Sequence, residues 1–135
     1  MKKIGIIKAM MLCKIYEKMS QEQRDELRIQ RLHRLVKYAR ENSPYYSQLY
    51  SDLPADFTLQ DLPATDKRTL MDNWDNWVCD ENLKLADVEK FMENPDNIGA
   101  FLSGKYMVIT TSGSTGNPLV AVLDKNANNI MGGIS

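Results

Sequence analysis

The chain has 135 residues, a length suited to one domain of ordinary size. Its 43% hydrophobic and 26% charged residues are those expected of a soluble globular protein, and the chain shows no low-complexity tract. A formal net charge of -1 gives no overall attraction to nucleic acid or to an anionic membrane, so neither is expected as a partner.

Two cysteines, Cys13 and Cys79, are too few for a disulfide framework and have no metal-type spacing. The single histidine, His33, cannot complete a zinc site with them at any usual spacing. A reducing, cytoplasmic location fits. Lys2 and Lys3 before Ile4-Gly5-Ile6-Ile7 resemble a signal peptide briefly, but Lys8 interrupts the run and no small-x-small cleavage site follows. No apolar run is long enough to span a bilayer.

In chain order, residues 4–19 read as a helix, with Ile4, Ile7, Met11 and Ile15 recurring at three- and four-residue steps. Ser20, with Gln23 three residues on, is placed to open a second helix by a capping box. That helix, residues 21–42, shows an apolar stripe of Ile29, Leu32, Leu35, Val36 and Ala39. Ser43 as N-cap and Pro44 at the first helical position restart the chain into a short aromatic helix with Tyr45, Tyr46 and Tyr50. Residues 51–63 read as a loop with room for one helical turn. Thr65 is expected to cap a helix over 66–77, whose acidic first residue suits the positive end of the helix dipole. A further helix over 84–94 should bury Val88, Phe91 and Met92 and end at Pro95.

After Gly99 the pattern changes. Residues 106–111 and 119–123 are β-branched and apolar, hence two strands, and residues 112–118 are the loop between them. Asp124 is placed to cap a final helix that barely begins. The expected fold class is α/β: residues 1–99 mainly helical, residues 100–135 strand, loop and strand.

The loop carries the chemistry. Thr111, Ser112, Ser114 and Thr115 supply four hydroxyls, and Gly113 and Gly116 supply two positions where the main chain can turn its N–H groups inward. Successive inward amides form a nest for an anion, and hydroxyls are neutral donors able to follow a departing phosphate. The loop is not a Walker motif, since Asn117 stands where lysine is needed. Nor is it a dinucleotide fingerprint, because it leads into a strand. Composition alone equally allows a polar hairpin loop with no ligand.

The order Thr110-Thr111-Ser112-Gly113-Ser114-Thr115-Gly116-Asn117-Pro118 closely resembles the phosphate-binding motif of the adenylate-forming superfamily. Ser43-Pro44-Tyr45-Tyr46 and Leu62-Pro63-Ala64-Thr65-Asp66-Lys67, upstream and in the same order, resemble its phenylacetate–CoA ligase and capsule-biosynthesis-type branch. The likeness covers roughly residues 30–124. It implies an AMP-forming ligase: a carboxylate attacks the α-phosphate of ATP, giving an acyl-adenylate and pyrophosphate, and a thiol such as that of CoA then takes the acyl group. Mg2+ would accompany ATP, and residues Thr111, Ser112, Gly113, Ser114, Thr115 and Gly116 would embrace the β- and γ-phosphates. Leu119 stands where many members of the superfamily place lysine, a departure shared by much of this branch. The superfamily's aromatic-Gly-x-Thr-Glu segment, ribose aspartate and C-terminal lysine are not in these residues. The resemblance therefore implies the N-terminal part of a larger adenylation domain, inactive as a ligase by itself.

Other patterns have plainer readings. The basic residues Arg24, Arg28, Arg31, Arg34, Lys37 and Arg40 drift round their helix as a solvated face does. Trp74 and Trp77 share a helix face and suit packing, and the three tyrosines suit packing better than an acyl pocket. The start of a calcium loop at Asp124 fails at Asn129 and Ser135. Set against the ligase is a second reading from another class: a small helical protein-interaction module whose Ser/Thr/Gly loop is only structural.

Overall fold

The computed structural model describes residues 5–111 and 118–134. They fall into two units, one of residues Gln21–Asp87, the other of Met1–Ser20 together with Val88–Ser135.

The first unit opens with α2 (Gln21–Asn42), a run of good helix formers without glycine or proline. Its outer side carries ion pairs between Arg28 and Asp25 at 2.9 Å and between Lys37 and Glu41 at 3.9 Å. Val36 and Ala39 are buried, and Leu32 and His33 are half-buried beside them. Ile29 and Leu35, expected on the same stripe, are exposed at 59% and 64%. The stripe is narrower than the sequence suggests because its cover is short. The packing partner α3 (Pro44–Leu49) has six residues, about 9 Å of helix, and reaches only the last turns of α2. Leu35, one residue before Val36, is turned about 100° away from that cover.

Ser43 caps α3 as its sequence predicts. Its Oγ accepts from the Tyr46 N–H at 3.3 Å and donates to the Asn76 carbonyl at 3.0 Å. His33 stacks on the buried Phe57 ring, with centroids 4.1 Å apart. The single turn foreseen in residues 51–63 is a 3-10 turn, Leu59–Asp61, closed by a capping box in which Asp61 accepts from the Thr58 N–H at 2.8 Å.

The helix expected over 66–77 is two helices, α4 (Lys67–Asp72) and α5 (Trp74–Trp77), divided at Asn73. The Asn73 side-chain amide and its main-chain N–H both donate to the Thr69 carbonyl, at 2.8 and 3.2 Å, and the helix ends there because Asn73 leaves helical geometry (φ -113°, ψ 22°). The N-cap is Asp66 and not Thr65: the Asp66 carboxylate takes the Thr69 N–H at 2.9 Å and the Thr69 hydroxyl at 2.6 Å. Trp74 is 2% exposed, which accounts for the spacing of the two tryptophans as packing. Leu83 is buried nearby in sequence, and Asp75 accepts from the Leu85 N–H at 2.9 Å, holding the start of α6 (Leu85–Glu93).

In the second unit α1 (Ile6–Glu17) packs on α7 (Lys125–Ile134), and α7 packs on a two-stranded antiparallel sheet of β1 (Tyr106–Thr110) and β2 (Val120–Asp124). Register runs from Tyr106 opposite Asp124 to Thr110 opposite Val120. Asp124 caps α7, accepting from the Ala127 N–H at 2.7 Å, and the helix runs ten residues where the sequence led us to expect a bare beginning. Val88 is fully buried and Phe91 half-buried, whereas Met92 is exposed. The chain is thus mainly helical with one antiparallel hairpin near its C-terminal end, as the composition of its elements predicts. No helix among the described residues is long and apolar enough to cross a membrane.

Candidate functional site

The hairpin positions the loop. Before β1 the chain reverses at Ser103 and Gly104, both with positive φ (51° and 65°), and the Lys105 N–H reaches the Leu102 carbonyl at 3.0 Å. Leu102 then pairs with Tyr106 through hydrogen bonds of 2.8 and 3.1 Å, so that the near end of β1 is braced on its open flank. Leu102 and Val120, both buried, fix the sheet against the interior of the unit.

At the far end the last strand pair is Thr110 with Val120. Beyond it the Thr111 N–H donates to the Leu119 carbonyl at 3.1 Å, and the Leu119 N–H donates to the Thr111 Oγ1 at 2.9 Å. One residue thus closes both strands at the mouth of the loop, using its main chain and its hydroxyl. Ser112, Gly113, Ser114, Thr115 and Gly116, the other residues expected to hold phosphate, lie outside the described residues, as does Asn117. Thr111 is exposed at the surface end of the hairpin. Its side-chain contact with Leu119 is a feature that sequence reasoning missed; the signal available was a threonine at the last strand position before a long loop.

Charge is distributed unevenly along the hairpin. Residues 106–124 contain no lysine or arginine. Lys105 lies 4.6 Å from the Tyr106 ring centroid and Lys125 5.5 Å from that of Phe101, both at the Tyr106–Asp124 end. That end is four strand steps from the Thr110–Val120 pair, about 13 Å. The donor set of the loop region is therefore neutral: hydroxyls and amides, which suit phosphate oxygens but do not balance their charge. Asp124, the one carboxylate of residues 106–124, lies at the same far end and already accepts from Ala127. Residues 106–124 therefore bring one carboxylate, at the end away from the loop, and no cation to the hairpin.

The two upstream elements have structural tasks. Ser43-Pro44-Tyr45-Tyr46 joins α3 to α5 through Ser43, and the Trp77 Nε1–H donates to the Tyr46 hydroxyl at 3.2 Å. Tyr46 stacks on Tyr50 at 5.2 Å and meets Tyr45 edge-on at 5.4 Å. Burial, followed by the neighbouring Tyr46 and Tyr45 hydroxyls, raises the Tyr50 pKa above its ordinary 10.0. These rings face one another and Trp77, as expected of packing residues. In Leu62-Pro63-Ala64-Thr65-Asp66-Lys67 the working residue is the cap Asp66. Burial also pushes the Cys79 thiol up from its usual range, away from the thiolate form that a nucleophile or metal ligand requires. Among the described residues no three histidine, cysteine or acidic side chains come together as a metal site would.

Comparison with protein-family models, with curated proteins and with solved structures found no match to this chain.

Proposed function

We propose that the hairpin is the phosphate-holding element of an ATP-dependent, AMP-forming ligase that activates a carboxylic acid as its acyl-adenylate and passes it to a thiol such as CoA. In this reading the 135 residues are the N-terminal part of the adenylation domain. The observation that carries it is the sequence of residue types along 110–118, on the stretch that links β1 to β2. Ser112, Ser114 and Thr115 donate hydroxyl hydrogens to the β- and γ-phosphate oxygens, and the amides at Gly113 and Gly116 complete the cradle. Mg2+ accompanying the ATP would offset phosphate charge that residues 106–124, which hold no lysine or arginine, leave uncompensated. Thr111 holds the two strands together at the base of the loop.

The test is direct. Isotope-labelled protein is titrated with Mg·ATP and with pyrophosphate, and amide signals are followed. Signals from Gly113 and Gly116 should shift on saturation, and Ser114→Ala combined with Thr115→Ala should weaken binding at least about tenfold, roughly 1.4 kcal/mol or more. Carboxylate-dependent pyrophosphate exchange by the 135 residues alone should be undetectable. Loop signals indifferent to both ligands would defeat the proposal. That result would favour the helical interaction module, for which the closure of the loop mouth by Thr111 is the supporting observation.

A further inference from the structure

The whole-chain charge of -1 conceals a segregation. Residues 1–19 contain five lysines and one acid, a charge of +4, while residues 20–135 contain twelve basic and seventeen acidic side chains, a charge of -5. The basic segment includes α1, whose covered positions are Ala9, buried, and Cys13 and Tyr16, half-buried. Most of the rest of its circumference is open: Ile6, Ile7, Met10, Met11, Leu12 and Ile15 are all exposed, Ile7 at 72% and Met11 at 60%, with Lys8, Lys14 and Glu17 exposed among them. The periodic set Ile7, Met11 and Ile15 is thus the outward face of α1 and not its packed face. So many exposed aliphatic side chains on one helix mark a surface that meets something apolar.

Lys8, Lys14 and Lys18 are interleaved with these residues on the open side, and among the described residues none of the three is in an ion pair. Lysine is depleted at the centres of protein–protein interfaces and is almost never fully buried unpaired. A bilayer surface takes this mixture: aliphatic side chains enter the acyl boundary while lysine stems run alongside and return their ammonium groups to the headgroups. Twelve residues make about 18 Å of helix, short of the hydrocarbon thickness of about 30 Å, so α1 suits lying on a membrane and not crossing one. The net negative charge of the remaining residues would be repelled by the same surface, which favours contact through the basic segment alone.

We propose that α1 docks the protein on anionic phospholipid surfaces, with Ile7, Met11 and Ile15 entering the acyl boundary and Lys8, Lys14 and Lys18 meeting the headgroups. This reverses the expectation drawn from net charge, and its test makes no use of the phosphate loop.

The 135-residue protein is floated with vesicles of phosphatidylcholine alone and of phosphatidylcholine mixed with phosphatidylglycerol. It should rise with the anionic vesicles only, and be released at about 1 M salt, where charges are screened beyond about 3 Å. Lys8→Glu, Lys14→Glu and Lys18→Glu together should reduce partitioning by about a hundredfold, each lysine near an anionic surface contributing a factor of about five. Ile7→Ser, Met11→Ser and Ile15→Ser together should reduce it at least about tenfold. All six residues are exposed, so both variants should keep the parent circular dichroism spectrum. Absence of binding to anionic vesicles overturns the proposal, as does equal binding to neutral ones. Sedimentation velocity covers the competing occupant: two copies paired through α1, without vesicle binding, also overturn it.

Discussion

Replacing Ser43 by alanine tests how the helical unit is held together. Ser43 is 2% exposed, and its one oxygen both caps α3 and ties α5 to it through the Asn76 carbonyl. Loss of a serine N-cap costs about 0.5–2 kcal/mol. Loss of a hydrogen bond to a partly buried partner costs about 0.5–1.5 kcal/mol more. The two effects share an atom and are not fully additive, so Ser43→Ala should destabilise by about 2 kcal/mol. Trp74 and Trp77 are the chain's two tryptophans, and both lie in the unit Gln21–Asp87, so tryptophan fluorescence during urea unfolding reports that unit selectively. With a slope near 1 kcal/mol per molar urea, the midpoint should fall by about 2 M. Ser47→Ala, at an exposed position in the same helix, is the control and should stay within about 0.5 kcal/mol of the parent. A Ser43→Ala midpoint matching that of Ser47→Ala would refute the joint described here.

Two further predictions concern the caps and the turn before β1. Hydrogen bonds from the Thr69 hydroxyl and amide lower the Asp66 pKa below its ordinary 3.8, and bonds from the Thr58 amide and hydroxyl do the same for Asp61. A carboxylate lowered by folding stabilises the protein above its unfolded pKa, and that contribution disappears as pH falls through the lower folded value. Asp66→Asn, which caps without titrating, should therefore flatten the loss of stability measured below pH 3.8 by acid titration of the fluorescence midpoint. Gly104 has φ +65° and open space where a side chain would stand, so Gly104→Ala should destabilise through backbone strain alone, by about 1 kcal/mol in thermal unfolding followed by circular dichroism.

Much of the fold was legible because its signals are local. Ser43 before Pro44, Asp124 before the last helix, and two β-branched runs about a Ser/Thr/Gly loop each specify their element through neighbours in sequence. Burial was less legible, because it depends on what covers an element. Ile29 and Leu35 have the right period for a buried stripe, yet α3 is too short to cover them. Ile7, Met11 and Ile15 have the right period too, but α7 takes the Ala9 side of α1. The break at Asn73 is a departure of one residue from helical geometry, which helix periodicity does not register. At the candidate site, the residue types and their frame of strands could be read in advance. The double closure by Thr111 could not, since it depends on the register with Leu119.

The assignment of Met1–Ser20 and Val88–Ser135 to one unit has a consequence for synthesis. Residues of the helical unit are contiguous, so that unit can assemble as soon as Asp87 has left the ribosome. Helix α1 emerges before it but must wait for α7, about a hundred residues later, or roughly 5–20 s at ordinary elongation rates. During that interval even Ala9 is uncovered. Within these residues α1 is thus made well before the helix that seats it.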